Sequence, residues 1–184
     1  MYSIAILFIN IAYGIIILLL MVLSMTMIGA LWVRVPFVPT SHRTAQTMLN
    51  LAALRPGETL YDLGAGDARL LIYAKRQIPT IRAIGYEIVP AVWLLGKIRI
   101  LLSRQDVQLR FCNALKADLR DADCIVLYLI TDVMPKFAAK FQRELKPGTR
   151  VISHAFPLPG YTPMETVAVP GLCGGKSRVY VYKW

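Results

Sequence analysis

The first 33 residues of this chain include no Asp, Glu, Lys or Arg, and this constrains the fold more than any other feature. All 21 basic and 11 acidic side chains follow from Arg34 onward. A helix rises about 1.5 Å per residue, so about 20 apolar residues are enough to cross about 30 Å of hydrocarbon. The apolar run over residues 3–33 is longer than that. The sequence therefore predicts one transmembrane anchor within residues 1–33.

Two other interpretations of this run fit the sequence less well. A cleaved signal peptide needs a basic start, an apolar core of about 7–15 residues and a small-residue cleavage site. The present run has an uncharged start and is longer. A buried core helix is also usually shorter than this run.

The residues that flank the run predict the orientation of the anchor. Trp32 stands at its end, where aromatic side chains favour the membrane interface, and Arg34 and Arg43 follow closely. No basic residue precedes the run. Because basic residues are retained on the cytoplasmic side, we expect a single-pass protein with its N-terminus outside. Its globular part would then be cytoplasmic, at the inner membrane if the protein is bacterial.

The formal net charge of +10 belongs entirely to the part of the chain that follows the anchor. Anionic lipid is the expected partner of these charges, each worth about 1 kcal/mol near such a surface. Nucleic acid would attract the same charges, but no nucleic-acid-binding motif is present, so no nucleic acid is expected. The basic residues concerned are Arg99, Arg104, Arg110, Lys136, Lys140, Arg143 and Lys146.

Cysteine and histidine residues do not form a metal-binding pattern. The three cysteines have no CxxC spacing, and His42 and His154 are far apart in the sequence. The sequence therefore predicts free thiols in a reducing compartment and no metal site.

Strands and helices alternate after the anchor, which predicts an α/β fold with a mostly parallel sheet. Residues 34–55 are predicted to form a linker and a helix capped by Ser41, and residues 56–184 the globular domain. Predicted strands cover residues 59–63, 82–88, 107–112, 123–130 and 149–156, with helices over 67–77, 90–104 and 135–145. Two final strands, near 163–169 and 177–184, lack an intervening helix and predict a terminal antiparallel hairpin.

A glycine turn follows the first predicted strand, in the sequence YDLGAGDAR over residues 61–69. In such sheets, ligands bind at the carboxyl ends of the strands, and glycines there allow close approach of the backbone. Asp62 and Asp67 flank Gly64 and Gly66. Because two carboxylates would repel a pyrophosphate, the motif favours a cationic ligand over a dinucleotide.

Two further residues extend this predicted ligand site. Glu87 ends the second strand, at the spacing from the turn at which an acidic side chain accepts hydrogen bonds from ribose hydroxyls. Asn113 ends the third strand and could bond the edge of an adenine. A ribose acceptor, a glycine turn and carboxylates beside a cation together fit S-adenosylmethionine. Capping roles for Asp67 and Asn113, and a merely solvated Glu87, remain open alternatives.

The chain resembles the class I S-adenosylmethionine-dependent methyltransferases with a Rossmann-like sheet. Within that class it is similar to the small membrane-anchored group related to mitochondrial protein-lysine methyltransferases of the adenine nucleotide translocase and the ATP synthase c subunit. The segments that carry the resemblance are VPFVPT, YDLGAGDARL, GYEIVP and the span LYLITDVMPKFAAKFQRELKPGTRVISHAFPLPGY.

The resemblance implies roles for individual residues of the cofactor site. Asp62, Gly64 and Gly66 would shape the cofactor turn, Glu87 would bind the ribose and Asn113 would lie near the adenine. Residues 36–40, including Thr40, would fold over the cofactor. The chain departs from the group's pattern at Ala68, where glycine is common, at Asn113, where aspartate is more usual, and over residues 129–132.

Residues directly after the fourth strand are the candidates for binding the methyl acceptor. A lysine acceptor must lose a proton, so Tyr128, Thr131 and Asp132 are predicted to orient the neutral amine. Capping of the following helix is the alternative for Asp132. His154 is a weaker candidate for a base.

Two functional hypotheses follow. The first is a tethered methyltransferase that modifies a lysine of a membrane-associated protein, with a small-molecule or lipid acceptor as a variant. The second is a non-catalytic binding or assembly module that retains the fold. The intact set of Asp62, Gly64, Gly66 and Glu87 favours the enzyme.

Overall fold

The computed structural model describes residues 2–33, 38–171 and 175–184. Helix α1 covers Tyr2–Val33, and its stretch Ala5–Ser24 has a mean hydropathy of 2.9 and is exposed along its length, so it is long and apolar enough to cross a membrane. The side chain of Trp32, and Arg34, Pro36 and Cys173, lie outside the described residues.

The globular part is built on one seven-stranded mixed sheet, which confirms the predicted fold class. Its strand order is β3-β2-β1-β4-β5-β7-β6, in which the first five strands are parallel and β7 runs antiparallel to β5 and β6. The strands are β1 (Thr59–Leu63), β2 (Arg82–Glu87), β3 (Val107–Phe111), β4 (Cys124–Leu127), β5 (Arg150–His154), β6 (Glu165–Pro170) and β7 (Lys176–Lys183). The order reverses between β1 and β4, which places the ligand crevice beside the end of β1.

In the described part of the chain after α1, helices cover the sheet, and short 3-10 helices follow β3 and β4. The helices are α2 (His42–Ala52), α3 (Arg69–Gln77), α4 (Pro90–Ser103) and α5 (Met134–Glu144), and the 3-10 helices are Ala114–Lys116 and Thr131–Val133. Ser41 caps α2 as predicted, because its Oγ accepts a hydrogen bond from the Thr44 amide at 3.1 Å. Helix α3 begins two residues later than predicted, since Ala68 adopts a left-handed conformation.

Buried side chains form one cluster on each face of the sheet. In β4, Val126 belongs to the cluster beneath α2 and α3, whereas its neighbour Ile125 belongs to the cluster beneath α5, as alternation along a strand requires. Lys140 of α5 is buried and paired with Glu144 at 2.7 Å. The prediction that Lys140 faces lipid is therefore wrong. The division of the chain into an anchor, a linker and a domain stays a prediction.

Candidate active site

A cavity of about 430 Å³ opens at the carboxyl ends of β1, β2 and β4, where the strand order reverses. Its size falls in the range of small-molecule sites. The residues predicted for the cofactor all line it: Thr40, Asp62, Gly64, Gly66, Asp67, Glu87 and Asn113. The fold thus brings together residues that are far apart in the sequence.

The glycine turn has the backbone conformation that its sequence predicts. Gly64 and Gly66 have φ angles of +90° and +57°, and the amides of Gly64 and Ala65 both donate to the carbonyl of Tyr86 at 2.9 Å. A Cβ atom on Gly64 would lie 2.8 Å from Leu129 Cδ2. The positive φ therefore favours glycine at this position, and any side chain here would have to displace Leu129.

Ala68 shows why the resemblance leads one to expect a glycine at this position. Its φ angle is +61° and its side chain is fully buried. An alanine in this left-handed conformation costs about 1 kcal/mol. The chain thus keeps the backbone of a glycine turn while carrying a methyl group there.

The carboxylate of Glu87 is held by backbone amides around the turn. Oε2 accepts from the Gly66 amide at 2.9 Å, and Oε1 accepts from the amides of Ile88 and Val89 at 2.7 and 2.8 Å. A carboxylate has about four acceptor positions, so these three bonds leave Glu87 with capacity for one further donor, such as a ribose hydroxyl.

Asp67 is compensated by arginine side chains. Arg69 binds both of its carboxylate oxygens, with Nη2 to Oδ2 at 2.7 Å and Nε to Oδ1 at 2.9 Å, and Arg99 Nη1 lies 3.2 Å from Oδ2. Burial acts to raise the pKa of Asp67, but the hydrogen bonds and charges of the two arginines outweigh it and hold that pKa below its usual value. The residue that caps α3 is Ala68, so Asp67 is not the N-cap.

Asp62 is the carboxylate that the fold leaves uncompensated. Its side chain is buried, and among the described residues it has no hydrogen-bond partner. Burial raises its pKa from 3.8 to about 8, and the charges of Glu87 and Asp67 add to the effect. An ammonium or sulfonium group placed in the cavity would supply the missing positive charge.

Asn113 and the segment before α2 close the cavity from two sides. The Asn113 Oδ1 atom accepts from the Leu115 amide at 3.0 Å, which is the capping role that the sequence left open, and Asn113 also lines the cavity. The carbonyl of Thr40 accepts from Arg69 Nη1 at 3.1 Å. Val38 and Pro39 also line the cavity, and residues 36 and 37 of the predicted covering segment lie outside the described residues.

The end of the cavity nearest β4 and α5 is mainly apolar and aromatic. Of the three predicted acceptor-binding residues, Tyr128 lines this end, whereas Thr131 and Asp132 are exposed on the 3-10 helix outside the lining. Burial raises the pKa of Tyr128, so its hydroxyl stays protonated at neutral pH. Sequence reasoning missed the other residues that line this end: Leu129, Ile130, Val133, Lys136, Phe137 and Phe156. These residues lie far from the glycine turn in the sequence, and no sequence motif connects them to it.

His154 lies behind Tyr128 and outside the cavity lining. The two rings are 4.1 Å apart, and His154 Nε2 is 3.2 Å from Ser177 Oγ. Burial lowers the pKa of His154 to about 4, so the ring is neutral at physiological pH. It supports the tyrosine ring by packing. Among residues 2–33, 38–171 and 175–184, no group of three His, Cys, Asp or Glu side chains forms a cluster that could hold a metal ion.

Comparison with known proteins finds one family and several similar enzymes. Residues 62–165 match the ANTKMT methyltransferase domain. The chain is 32% identical over 146 residues to a protein-lysine N-methyltransferase of Saccharolobus islandicus, covering 73% of this chain and 85% of that protein. It is 36% identical over 153 residues to the adenine nucleotide translocase lysine N-methyltransferase of Mus musculus, covering 81% of this chain and 63% of that protein.

Among solved structures, an RNA methyltransferase from Salinibacter ruber in complex with S-adenosyl-L-homocysteine is similar in fold. The TM-score is 0.73 at 32% sequence identity, and the match covers 79% of this chain and 93% of that one. The fold, the enzyme class and the cofactor predicted from the sequence are thereby confirmed: the chain is an S-adenosylmethionine-dependent methyltransferase.

Because Asp62 is uncompensated and Asp67 is paired with arginines, replacing each one should change the free energy of unfolding in opposite directions. The free folded protein holds a proton on Asp62 that the unfolded chain releases, so Asp62 lowers the stability of the free protein as pH rises from about 4 to about 8. Asp62→Asn should therefore raise the free energy of unfolding at pH 7 to 8, by on the order of a few kcal/mol. The same change should weaken S-adenosylmethionine binding at least ~10-fold, since one charge-assisted contact is lost.

Asp67→Asn is the matched control, because its effect on stability should have the opposite sign. It removes the partner of Arg69 and Arg99 and should lower the free energy of unfolding by about 3 kcal/mol. Thermal unfolding and calorimetry with the cofactor measure both quantities. A destabilised Asp62→Asn protein that keeps its cofactor affinity would show that Asp62 is a structural residue.

Proposed function

Since the chain belongs to the family of the ANTKMT methyltransferase domain, we propose that it methylates a lysine side chain of a membrane protein while helix α1 holds it at that membrane. The observation that carries the proposal is the pairing of an uncompensated carboxylate with an apolar, aromatic acceptor end in one cavity. The cavity has one end suited to a cationic cofactor and another suited to the stem of a lysine.

The residues at the turn fit S-adenosylmethionine. Asp62 offers a negative charge to a cationic group, Glu87 retains one acceptor position, and Gly64 leaves the backbone open where a Cβ atom would collide with Leu129. When bound, S-adenosylmethionine would supply a methyl group: the neutral acceptor nitrogen would bond to the methyl carbon as the carbon–sulfur bond breaks, and S-adenosylhomocysteine would leave. The transfer needs no metal ion and no covalent intermediate. The protein therefore contributes mainly by positioning the acceptor against the cofactor in an environment with little water.

The apolar acceptor end favours the neutral form of a lysine amine. Burial of an ammonium group disfavours its charge, and the nearby positive charge of Lys136 acts in the same direction. The carboxylates that line the cavity, Asp62, Asp67 and Glu87, belong to the cofactor end. Tyr128 is the hydroxyl at the acceptor end, and its protonated side chain can orient the amine by a hydrogen bond.

Membrane substrates are favoured by the relatives and by helix α1. Two relatives are named for lysine methylation of the adenine nucleotide translocase and of the c subunit of ATP synthase, the latter from Rattus norvegicus at 32% identity over 136 residues. The chain covers 63% and 60% of those two proteins, so their substrates are not transferred to it by name. A spanning α1 would raise the effective concentration of the enzyme beside membrane-embedded lysines, with the globular part in the cytoplasm.

A labelling experiment with the full chain tests this function. Purified protein in vesicles should transfer label from S-adenosylmethionine to a membrane-protein lysine when host membranes are added, and mass spectrometry identifies the residue. Gly64→Arg is the control, because a side chain at φ +90° and 2.8 Å from Leu129 should abolish cofactor binding. Label that appears only in RNA, in lipid or in small molecules, or no transfer at all, would contradict the proposal.

Tyr128→Phe should separate acceptor orientation from cofactor binding. Removing one orienting hydrogen bond should lower kcat by about 10- to 100-fold and leave the cofactor Kd unchanged. Asp132→Asn and Thr131→Val test the other two predicted residues, and their exposed positions outside the cavity lead us to expect smaller losses. Equal kcat for Tyr128→Phe and the wild type would exclude the role given to this hydroxyl.

A further inference from the structure

Exposed apolar side chains of the globular part concentrate on one surface. Within the described residues after α1, eight large hydrophobic side chains are exposed, and all but Met164 belong to residues 88–111. They are Ile88, Leu94, Leu95, Ile98, Leu101, Leu102 and Phe111. A soluble surface carries scattered apolar residues, whereas a contiguous group marks a contact.

Helix α4 presents most of this surface. Leu94, Ile98 and Leu101 recur at helical spacing, and Leu95 and Leu102 lie beside them. Leu101 and Leu102 are 77% and 78% exposed, whereas Val92 and Gly96 on the inner side of the helix are buried. We call these five side chains, together with Phe111, the α4 face.

The opposite side of α4 shows that the outward direction of this face is fixed by packing. A Cβ atom on Gly96 would lie 2.5 Å from Leu109 Cδ2 and 3.1 Å from the carbonyl of Gly66. The helix therefore rests on the glycine turn through a residue without a side chain. This close approach seats the Gly96 side of α4 on the turn and leaves the leucines on its outer side.

Helix α1 meets the domain at the edge of the α4 face. An apolar cavity of about 230 Å³ separates Val22 of α1 from residues at the start of α4 and from β3, namely Pro90, Ala91, Trp93, Leu94 and Phe111. The helix that is apolar enough to cross a membrane is thus continuous with the α4 face. A bilayer that surrounded α1 would therefore reach the α4 face.

Charges around the α4 face are predominantly positive. Residues 88–116 include five basic side chains and one acidic side chain, Asp106. Lys97, Arg104 and Arg110 are exposed. This combination of an apolar stripe and basic flanks is typical of a helix that lies in the interface of an anionic membrane.

We propose that the α4 face inserts into the headgroup and acyl boundary of the bilayer that α1 crosses, as a second membrane contact of the domain. The inference rests on the proposed membrane anchoring by α1. A symmetric dimer through this face would bring two positively charged surfaces together, since Lys97, Arg104 and Arg110 flank it on both copies, which disfavours a second chain as the occupant. Anionic lipid matches both the apolar area and the charge.

This contact would bring the cofactor end of the active-site cavity close to the membrane surface. Ile88 is 39% exposed and also lines the cavity, directly before α4 begins at Pro90. The two contacts, α1 and the α4 face, would fix the orientation of the domain, which a single flexible tether would not.

Site-specific photocrosslinking tests the proposal with the full chain. A photoreactive amino acid replaces Leu18 in α1, Leu101 in the α4 face or Met164, which is 69% exposed and distant from that face in sequence. The proteins are reconstituted in vesicles of phosphatidylcholine and phosphatidylglycerol, irradiated and analysed by mass spectrometry. We expect lipid adducts at Leu18 and Leu101, with the yield at Leu101 at least ~10-fold above that at Met164.

The three positions distinguish failure of the α4 contact from failure of the α1 anchor. Lipid adducts at Leu18 without adducts at Leu101 would overturn the proposal and leave the anchor intact. Adducts of Leu101 with a second copy of the chain, or equal lipid yields at Leu101 and Met164, would also overturn it. Absence of lipid adducts at Leu18 would refute the anchor itself. The readout needs no methyl transfer, so failure of the proposed lysine activity does not affect it.

Discussion

Three carboxylates converge at the tip of β1 and β2, and the way in which each is compensated governs the rest of the site. Asp67 is neutralised by Arg69 and Arg99, and Glu87 is held by three backbone amides. Asp62 receives neither and retains a raised pKa. Such an uncompensated buried acid is costly to the free protein, and residues of this kind cluster at functional sites. We propose that the missing partner is the positive charge of the cofactor.

Helix α4 lies between the active site and the proposed membrane contact. Its inner side contacts the glycine turn through Gly96, and Arg99 from the same helix reaches Asp67. Its outer side carries the exposed leucines beside α1. A membrane contact on the outer side is therefore separated from the cofactor turn by the thickness of one helix.

Local patterns in the sequence were sufficient to predict the sheet, the terminal hairpin and residues that line the cavity. Alternating strands and helices predict the topology, and the turn with its acidic flanks predicts the ligand class. The different states of Asp62 and Asp67 could not be predicted, because Arg99 comes from a helix 32 residues further along the chain. The start of α3 was misplaced because an alanine adopts the left-handed conformation expected of glycine.

The acceptor end was harder to predict for a related reason. Tyr128 was identified from its position after β4, but Phe137 and Phe156 reach the cavity from α5 and from the loop after β5. Apolar side chains of this kind have the same sequence signature as core residues. The sequence predicted that residues 90–104 form a helix, but not that its leucines are exposed. Helical periodicity does not show which side of a helix another surface covers.

The most direct test of the central claim is an NMR titration of the Asp62 carboxyl carbon in the free protein and in the complex with S-adenosylmethionine. We expect a pKa of about 8 in the free protein, and a clearly lower pKa in the complex because the cationic cofactor stabilises the charged carboxylate. An Asp62 pKa near the ordinary value for aspartate in the free protein, unchanged by the cofactor, would contradict it.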